Sequence, residues 1–471
     1  MVKSYEKLSS WYITFPSFLI VHFLFLSSGI YLKSEVACLL NDAWILHSMA
    51  VNYIEQGVMS FQDEGPTLFQ LPFYPFIISC FYRVFGEDPR YVLGFQICVN
   101  AALLSFILTK TKRIMGKWNV ILFLFLLFDV HVLLYASCLI TEFWIFSFWL
   151  LSWFFIACYE RTEKVKFWFF HVVCLSIMAW IKPLMGIWVP FSLLISFFFL
   201  SKIRFKWRLI CLGLTLHMVL LTPLFIRNYQ ATGEIGRYST ISSFNAWYFN
   251  IVYYESKKNN VSIHDTREIY VNKMREHINK TENKNLPVID WETANDRGRH
   301  VQALGLDEYK YAKVADELAR DYMKKNFTSY SIHHILSGFK IFTTSNLSWF
   351  KQYYNNFETY SFASGGISGN VKVLMQMNFK SYFLAVRVYE LIFVFFLILF
   401  SSIYLILDWR KIIHSYFLQY GLLFIAYMVA ISGVNVWGRF RYLFMPVLIY
   451  LGICGLKLVY EKIRFRNKQK A

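Results

Sequence analysis

Apolar runs of about 20 residues, the length one helix needs to cross a bilayer's hydrocarbon core, recur along this chain, and short lysine and arginine clusters separate many of them. That punctuation leaves few folds open, because a segment in lipid must satisfy its backbone hydrogen bonds internally, as a helix does. Composition agrees: 56% of the 471 residues are hydrophobic and 20% aromatic, which does not suit a soluble surface. The formal charge of +18 sits mostly in short loops and not on one continuous face, which argues against nucleic-acid binding. The eight cysteines lie in or near apolar segments with no CxxC spacing, so neither a zinc site nor a disulfide framework is indicated. Lys3 and Lys7 precede a long apolar run with no small-residue cleavage site, which reads as a retained signal anchor.

Basic short loops stay cytoplasmic, and that rule orients the chain. The clusters are Lys3 with Lys7; Lys110 to Lys117; Arg161 to Lys166; Lys202 to Arg208; Arg410 with Lys411; and the tail from Lys457 to Lys470. Spans that keep all of them inside are 12–31, 90–109, 118–136, 140–158, 167–181, 183–200, 209–226, 386–407, 416–434 and 441–459. Segment 71–86 would break the parity as an eleventh span and is expected to be re-entrant or interfacial on the outer face. The fold class expected is therefore an all-α polytopic membrane protein of ten or eleven transmembrane helices. Residues 1–227 form an N-terminal transmembrane module with an acidic first outer loop (32–89); 228–385 form a mostly helical extracytoplasmic domain; 386–471 hold the last spans and a basic cytoplasmic tail. Within the outer domain, Tyr311, Val314, Leu318 and Tyr322 predict an amphipathic helix over 307–326, and 331–342 a second helix docked on the membrane part. Segment 254–300 is charged and poorly periodic and reads as a mobile loop.

A few ionisable residues carry potential chemistry. Asp42 opens a stretch with Trp44, Ile45, Met49, Tyr53 and Ile54 mostly on one helical face, which would hold a carboxylate at the membrane surface. It can serve as a general base or simply cap a helix. Glu142 lies at the outer end of an apolar span, where a charge is costly and is either functional or wetted by interfacial water. Asp129 and His131 lie in the preceding span and can line the same cavity. Four cations, Lys182, Arg227, Arg439 and Arg441, stand at outer helix ends, against the positive-inside rule. They suit a lipid-linked phosphate, which arginine grips with paired hydrogen bonds, although any one of them can equally bind a phospholipid head group or snorkel.

The order of these segments resembles the GT-C superfamily of membrane glycosyltransferases, as in protein O-mannosyltransferases and aminoarabinose transferases. The resemblance runs through Asp42, Gly57, the Leu71-Pro72-Phe73-Tyr74-Pro75 element and Arg90; Thr141-Glu142; Lys182-Pro183; Ile226-Arg227-Asn228 with the STISSFNAWYFN stretch; and Arg439-Phe440-Arg441-Tyr442 with Pro446. A single Asp42 preceded by Asn41 replaces the family's Asp-Glu pair, and this leaves the branch and the acceptor open.

The resemblance implies transfer of a hexosyl or pentosyl unit from a polyprenyl-phosphate donor, dolichyl or undecaprenyl, to a glycan, lipid or protein acceptor, with inversion. Asp42 would be the base or acceptor-orienting residue and Glu142 the second acid. Lys182, Arg227, Arg439 and Arg441 would hold the donor phosphate, and His131, Asn228, Tyr74 and Arg90 are further pocket candidates. No cofactor is certain from the sequence, and metal dependence stays open, because Asp42, Glu142 and His131 could meet around a divalent ion. A lipid-linked oligosaccharide polymerase or ligase and a flippase are the alternative readings. Four Asn-x-Ser/Thr triplets, at Asn260, Asn279, Asn326 and Asn346, would allow eukaryotic glycosylation; the lack of cysteine in the outer domain favours a bacterial inner membrane.

Overall fold

The structure, a computed structural model, describes residues 10–33, 42–61, 66–199, 206–234, 236–342, 344, 382–433 and 439–470. The end of the expected outer domain and Asn346 lie outside these. Every regular element among the described residues is helical. The first half holds α1 (Trp11–Lys33), α2 (Asp42–Gln56), α3 (Phe73–Phe85), α4 (Pro89–Met115), α5 (Trp118–Leu127), α6 (Val130–Ala136), α7 (Thr141–Thr162), α8 (Val165–Ile181), α9 (Pro183–Phe199) and α10 (Lys206–Thr232). A middle set follows: α11 (Ile241–Phe244), a π-helical segment (Asn245–Ile251), α12 (Val252–Asn259), α13 (Ile263–Glu282), α14 (Trp291–Asn295), α15 (Arg297–Ala303), α16 (Glu308–Lys325), α17 (Phe327–Gly338) and a 3-10 turn (Phe339–Phe342). The chain closes with α18 (Tyr382–Leu407), α19 (Trp409–His414), α20 (Tyr416–Ser432), α21 (Arg439–Tyr442) and α22 (Met445–Lys470).

Over its described residues each expected span is occupied by helix, with three departures, one being that 441–459 starts on the four-residue α21 and resumes as helix at Met445. The 118–136 segment is not one rod: α5 and α6 meet at a 49° bend. Asp129 makes that break, because its carboxylate accepts the backbone N–H groups of His131 and Val132 as a helix cap. The helix expected to end at 226 continues to Thr232, so Arg227 and Asn228 lie within its last two turns. Four described helical stretches are long and apolar enough to cross a bilayer, Pro89–Met115, Thr141–Thr162, Trp207–Thr232 and Val388–Leu407, and the bent α5–α6 pair makes a fifth. Apolar helices of 10–17 residues pack among them. The chain is an all-helical, multi-pass integral membrane protein.

Packing follows small residues. α18 runs along α22, where a side chain on Gly455 would collide with the Phe400 carbonyl. Helix α3, at 13 residues or about 20 Å, is shorter than a hydrocarbon core and packs on α2 and α4. The buried stripe of α2 is Ala43, Leu46, Met49 and Ala50, which shares only Met49 with the face expected; Trp44 is 54% exposed and lies beside the His47 ring.

The middle helices have their own core, built on Phe244, Trp247, Tyr248, Tyr270, Met274 and Tyr311. Helix α16 forms as expected, capped by Asp307, with Tyr311, Ala312, Ala315 and Ala319 buried. The loop expected over 254–300 is instead mostly helix. Thr266, Tyr270, Val271, Met274 and Ile278 of α13 repeat every three to four residues and are buried, while the charges occupy the other face. Helix α17 docks on α20: Gly338 lies against the Val429 carbonyl, and His334 Nε2 is 3.1 Å from the Ala430 carbonyl oxygen.

Candidate functional site

Four of the residues singled out from the sequence converge. Glu142 opens α7, Lys182 is the extended residue between α8 and α9, Arg439 opens α21 and Asp42 opens α2. Lys182 Nζ lies 2.5 Å from Glu142 Oε1, Arg439 Nε lies 3.3 Å from the same oxygen, and Arg439 Nη1 reaches Asp42 Oδ2 at 2.6 Å. Thr141 donates its hydroxyl to the other Glu142 oxygen at 3.1 Å. Glu142 is buried, whereas Asp42, Lys182 and Arg439 line a cavity of about 1090 Å³. Two acids and two cations balance, and Glu142 sits behind both cations, holding them toward the opening.

The local reasons are visible. Pro183 keeps Lys182 out of a helical conformation, so its side chain leaves the α8 axis and passes over the Phe440 ring at 5.0 Å. The cavity has a polar end at the quartet and an apolar end between α9 and α10, lined by Ile187, Pro190, Leu214, Met218 and Leu221. Its volume exceeds the few hundred to about a thousand cubic ångströms of an ordinary small-molecule pocket.

A second polar set lies deeper. His131 Nδ1 is 2.9 Å from Asp129 Oδ1, and His131 Nε2 is 3.1 Å from Glu390 Oε1 and 2.9 Å from Arg441 Nη2. Arg441 is also paired with Glu390, and it donates to the carbonyls of Ile341, Phe342 and Thr344 at 3.0–3.1 Å. All four of these ionisable side chains are buried. Glu390 was not among the residues singled out from the sequence; it stands in an apolar helix as Glu142 does, and the same signal would have found it.

The remaining predicted residues lie elsewhere. Arg227 lines a separate cavity of about 540 Å³ with Tyr53, Phe73, Phe76 and Trp180, and donates to the Thr67 carbonyl at 2.7 Å. Asn228 donates to the carbonyls of Arg237 and Tyr238. Tyr74 donates to Gln96 inside the bundle, and Arg90 is an exposed partner of Asp88. The structure therefore does not bring Arg227 or Arg441 to the cavity that holds Asp42. The donor set does not fit a divalent cation either: Glu142 Oε1 is shared by Lys182 and Arg439, Asp42 Oδ2 is paired with Arg439, and His131 belongs to the deeper set. Among the described residues no group of three or more His, Cys, Asp or Glu is placed to hold a metal ion.

No protein-family profile and no curated protein matches the chain. Among solved structures it is similar to ArnT from Cupriavidus metallidurans bound to undecaprenyl phosphate, at 11% identity and a TM-score of 0.40, over 94% of this chain and 77% of that one. The apo state of the same protein gives 11% identity and a TM-score of 0.37, over 91% and 76%.

Proposed function

We propose that this chain is a GT-C-like glycosyltransferase that moves a hexosyl or pentosyl unit from a polyprenyl-phosphate donor to an acceptor hydroxyl on the outer face of a bacterial inner membrane. One observation carries the reading: a single large cavity joins a charge-balanced quartet to an apolar groove between two membrane helices. An amphiphile with a phosphate head and an isoprenoid tail has that distribution of chemistry, and the groove gives the tail a path toward lipid.

In this reading Lys182 and Arg439 take the phosphate, and Glu142 is a positioning residue that keeps both in place. Asp42, on the cavity wall, accepts the proton of the acceptor hydroxyl. The acceptor oxygen forms its bond to the anomeric carbon as the bond from that carbon to the phosphate oxygen breaks, and the electron pair leaves with the phosphate. The departing group gains one negative charge, which the two cations neutralise. Displacement in one step inverts the anomeric carbon.

The test is transfer of a labelled sugar from a polyprenyl-phosphate hexose by the purified chain, with membrane extract as acceptor. Asp42→Asn is expected to slow transfer by roughly a hundred- to ten-thousand-fold while retaining the bound lipid. Transfer at the wild-type rate in this variant would remove Asp42 from the reaction. Lipid taken up into vesicles, with no sugar released from any donor, would replace the enzyme reading with transport.

A further inference from the structure

The cavity's roof has a chemistry different from its charged end. It is made by α11 and the π-helical segment, which contribute Ser242, Asn245 and Asn250, and by Gln70 from the first outer loop. π-Helical turns are rare and concentrate at functional sites. This one has a geometric effect: five residues of α-helix would leave Asn245 and Asn250 about 140° apart, but the wider turn presents both to the cavity. Its other face, with Trp247, Tyr248 and Ile251, is buried in the outer core.

Gln70 is only 8% exposed, and among the described residues none of the three amides has a hydrogen-bond partner. Gln70 is buried, Asn245 and Asn250 are half-buried, and the three line one space, where their amide groups can be reached. The Phe69 and Phe249 rings flank them. The described residues of the cavity wall that carry a formal charge are Asp42, Lys182 and Arg439, all in the quartet.

We infer that the roof formed by Gln70, Ser242, Asn245 and Asn250 is the sugar subsite, and that it selects an uncharged, fully hydroxylated sugar; the inference rests on the polyprenyl-phosphate reading above. Each amide donates and accepts at once, as each sugar hydroxyl does. The phenylalanine rings offer a surface for the apolar face of a pyranose. An ammonium group on the sugar would meet amide donors with no dedicated carboxylate, and a uronate would meet amides with no dedicated cation. Either charge would exchange water for neutral hydrogen-bond partners, with no countercharge on the roof.

The experiment is equilibrium binding to the purified full chain of four lipids: polyprenyl phosphate alone, and polyprenyl phosphate carrying a neutral hexose, an amino sugar or a uronic acid. The wild type is expected to bind the neutral hexosyl lipid at least about tenfold more tightly than either charged one. Asn245→Ala and Asn250→Ala should each weaken the hexosyl lipid by roughly three- to tenfold and leave sugar-free polyprenyl phosphate unchanged. That unchanged binding also reports that the variants fold. Asn250→Asp should move the preference toward the amino sugar. Binding of polyprenyl phosphate with no preference among the three sugars, or variants that leave the preference intact, would overturn the subsite and leave the lipid-phosphate reading standing. Binding of none of the four lipids would overturn both.

Discussion

Arg439 and Arg441 stand two residues apart on one short helix, yet they belong to opposite worlds. Arg439 meets Asp42 and Glu142 at the wall of an open cavity, whereas Arg441 is fully buried with Glu390 and His131 and three backbone carbonyls. Each region gathers two carboxylates and two basic side chains. What separates them is access: the Arg439 side chain is 16% exposed and lines the cavity, and that of Arg441 is wholly enclosed. Arg441 spends its guanidinium on the segment that follows α17 and on α18, so it ties the outer helices to the bundle. The cavity quartet keeps a face toward the space a substrate would fill. Charge in a membrane protein is therefore read as chemistry or as architecture by access, not by residue type.

The comparison can be broken at several points. Arg441→Ala should have the largest effect on stability, about 3–5 kcal/mol, because it takes the paired guanidinium away from buried Glu390 and from three backbone carbonyls; thermal unfolding in detergent measures it, and a small shift would merge the two regions into one class. Arg439→Ala should instead keep the fold and lower transfer by roughly a hundred- to a thousandfold, seen as lost sugar transfer at a nearly unchanged unfolding temperature. Gly338→Ala drives a Cβ into the Val429 carbonyl oxygen and should cost about 1–3 kcal/mol, with faster hydrogen exchange over α17. Arg90→Ala removes an exposed ion pair and should change stability by less than about 1 kcal/mol with no effect on transfer.

The helices were legible because lipid demands long apolar runs and basic loops mark their ends. The sequence pattern could not show the 49° bend at Asp129, since a capping carboxylate and a buried charge look alike in a list of residues. It also misread 254–300, where the charged face of α13 hid the stripe from Thr266 to Ile278. For the site, Asp42, Glu142, Lys182 and Arg439 stood out as charges in costly places, and the fold brings those four together. Arg227 carried the same signal but lies in another cavity, because where an outer cation points depends on packing that no local pattern encodes. Asn245 and Asn250 lay in the STISSFNAWYFN stretch that the resemblance marked, but no local pattern singled them or Gln70 out, because asparagine and glutamine are unremarkable outside their context.

The central claim is that the quartet, and not the other outer cations, grips a lipid phosphate. Native mass spectrometry of the purified chain with polyprenyl phosphate tests it directly, comparing wild type with Arg439→Ala and Arg227→Ala. The account predicts retention that falls about tenfold or more in Arg439→Ala and is unchanged in Arg227→Ala. Full retention by Arg439→Ala, with loss in Arg227→Ala, would contradict it and move the phosphate to the smaller aromatic cavity.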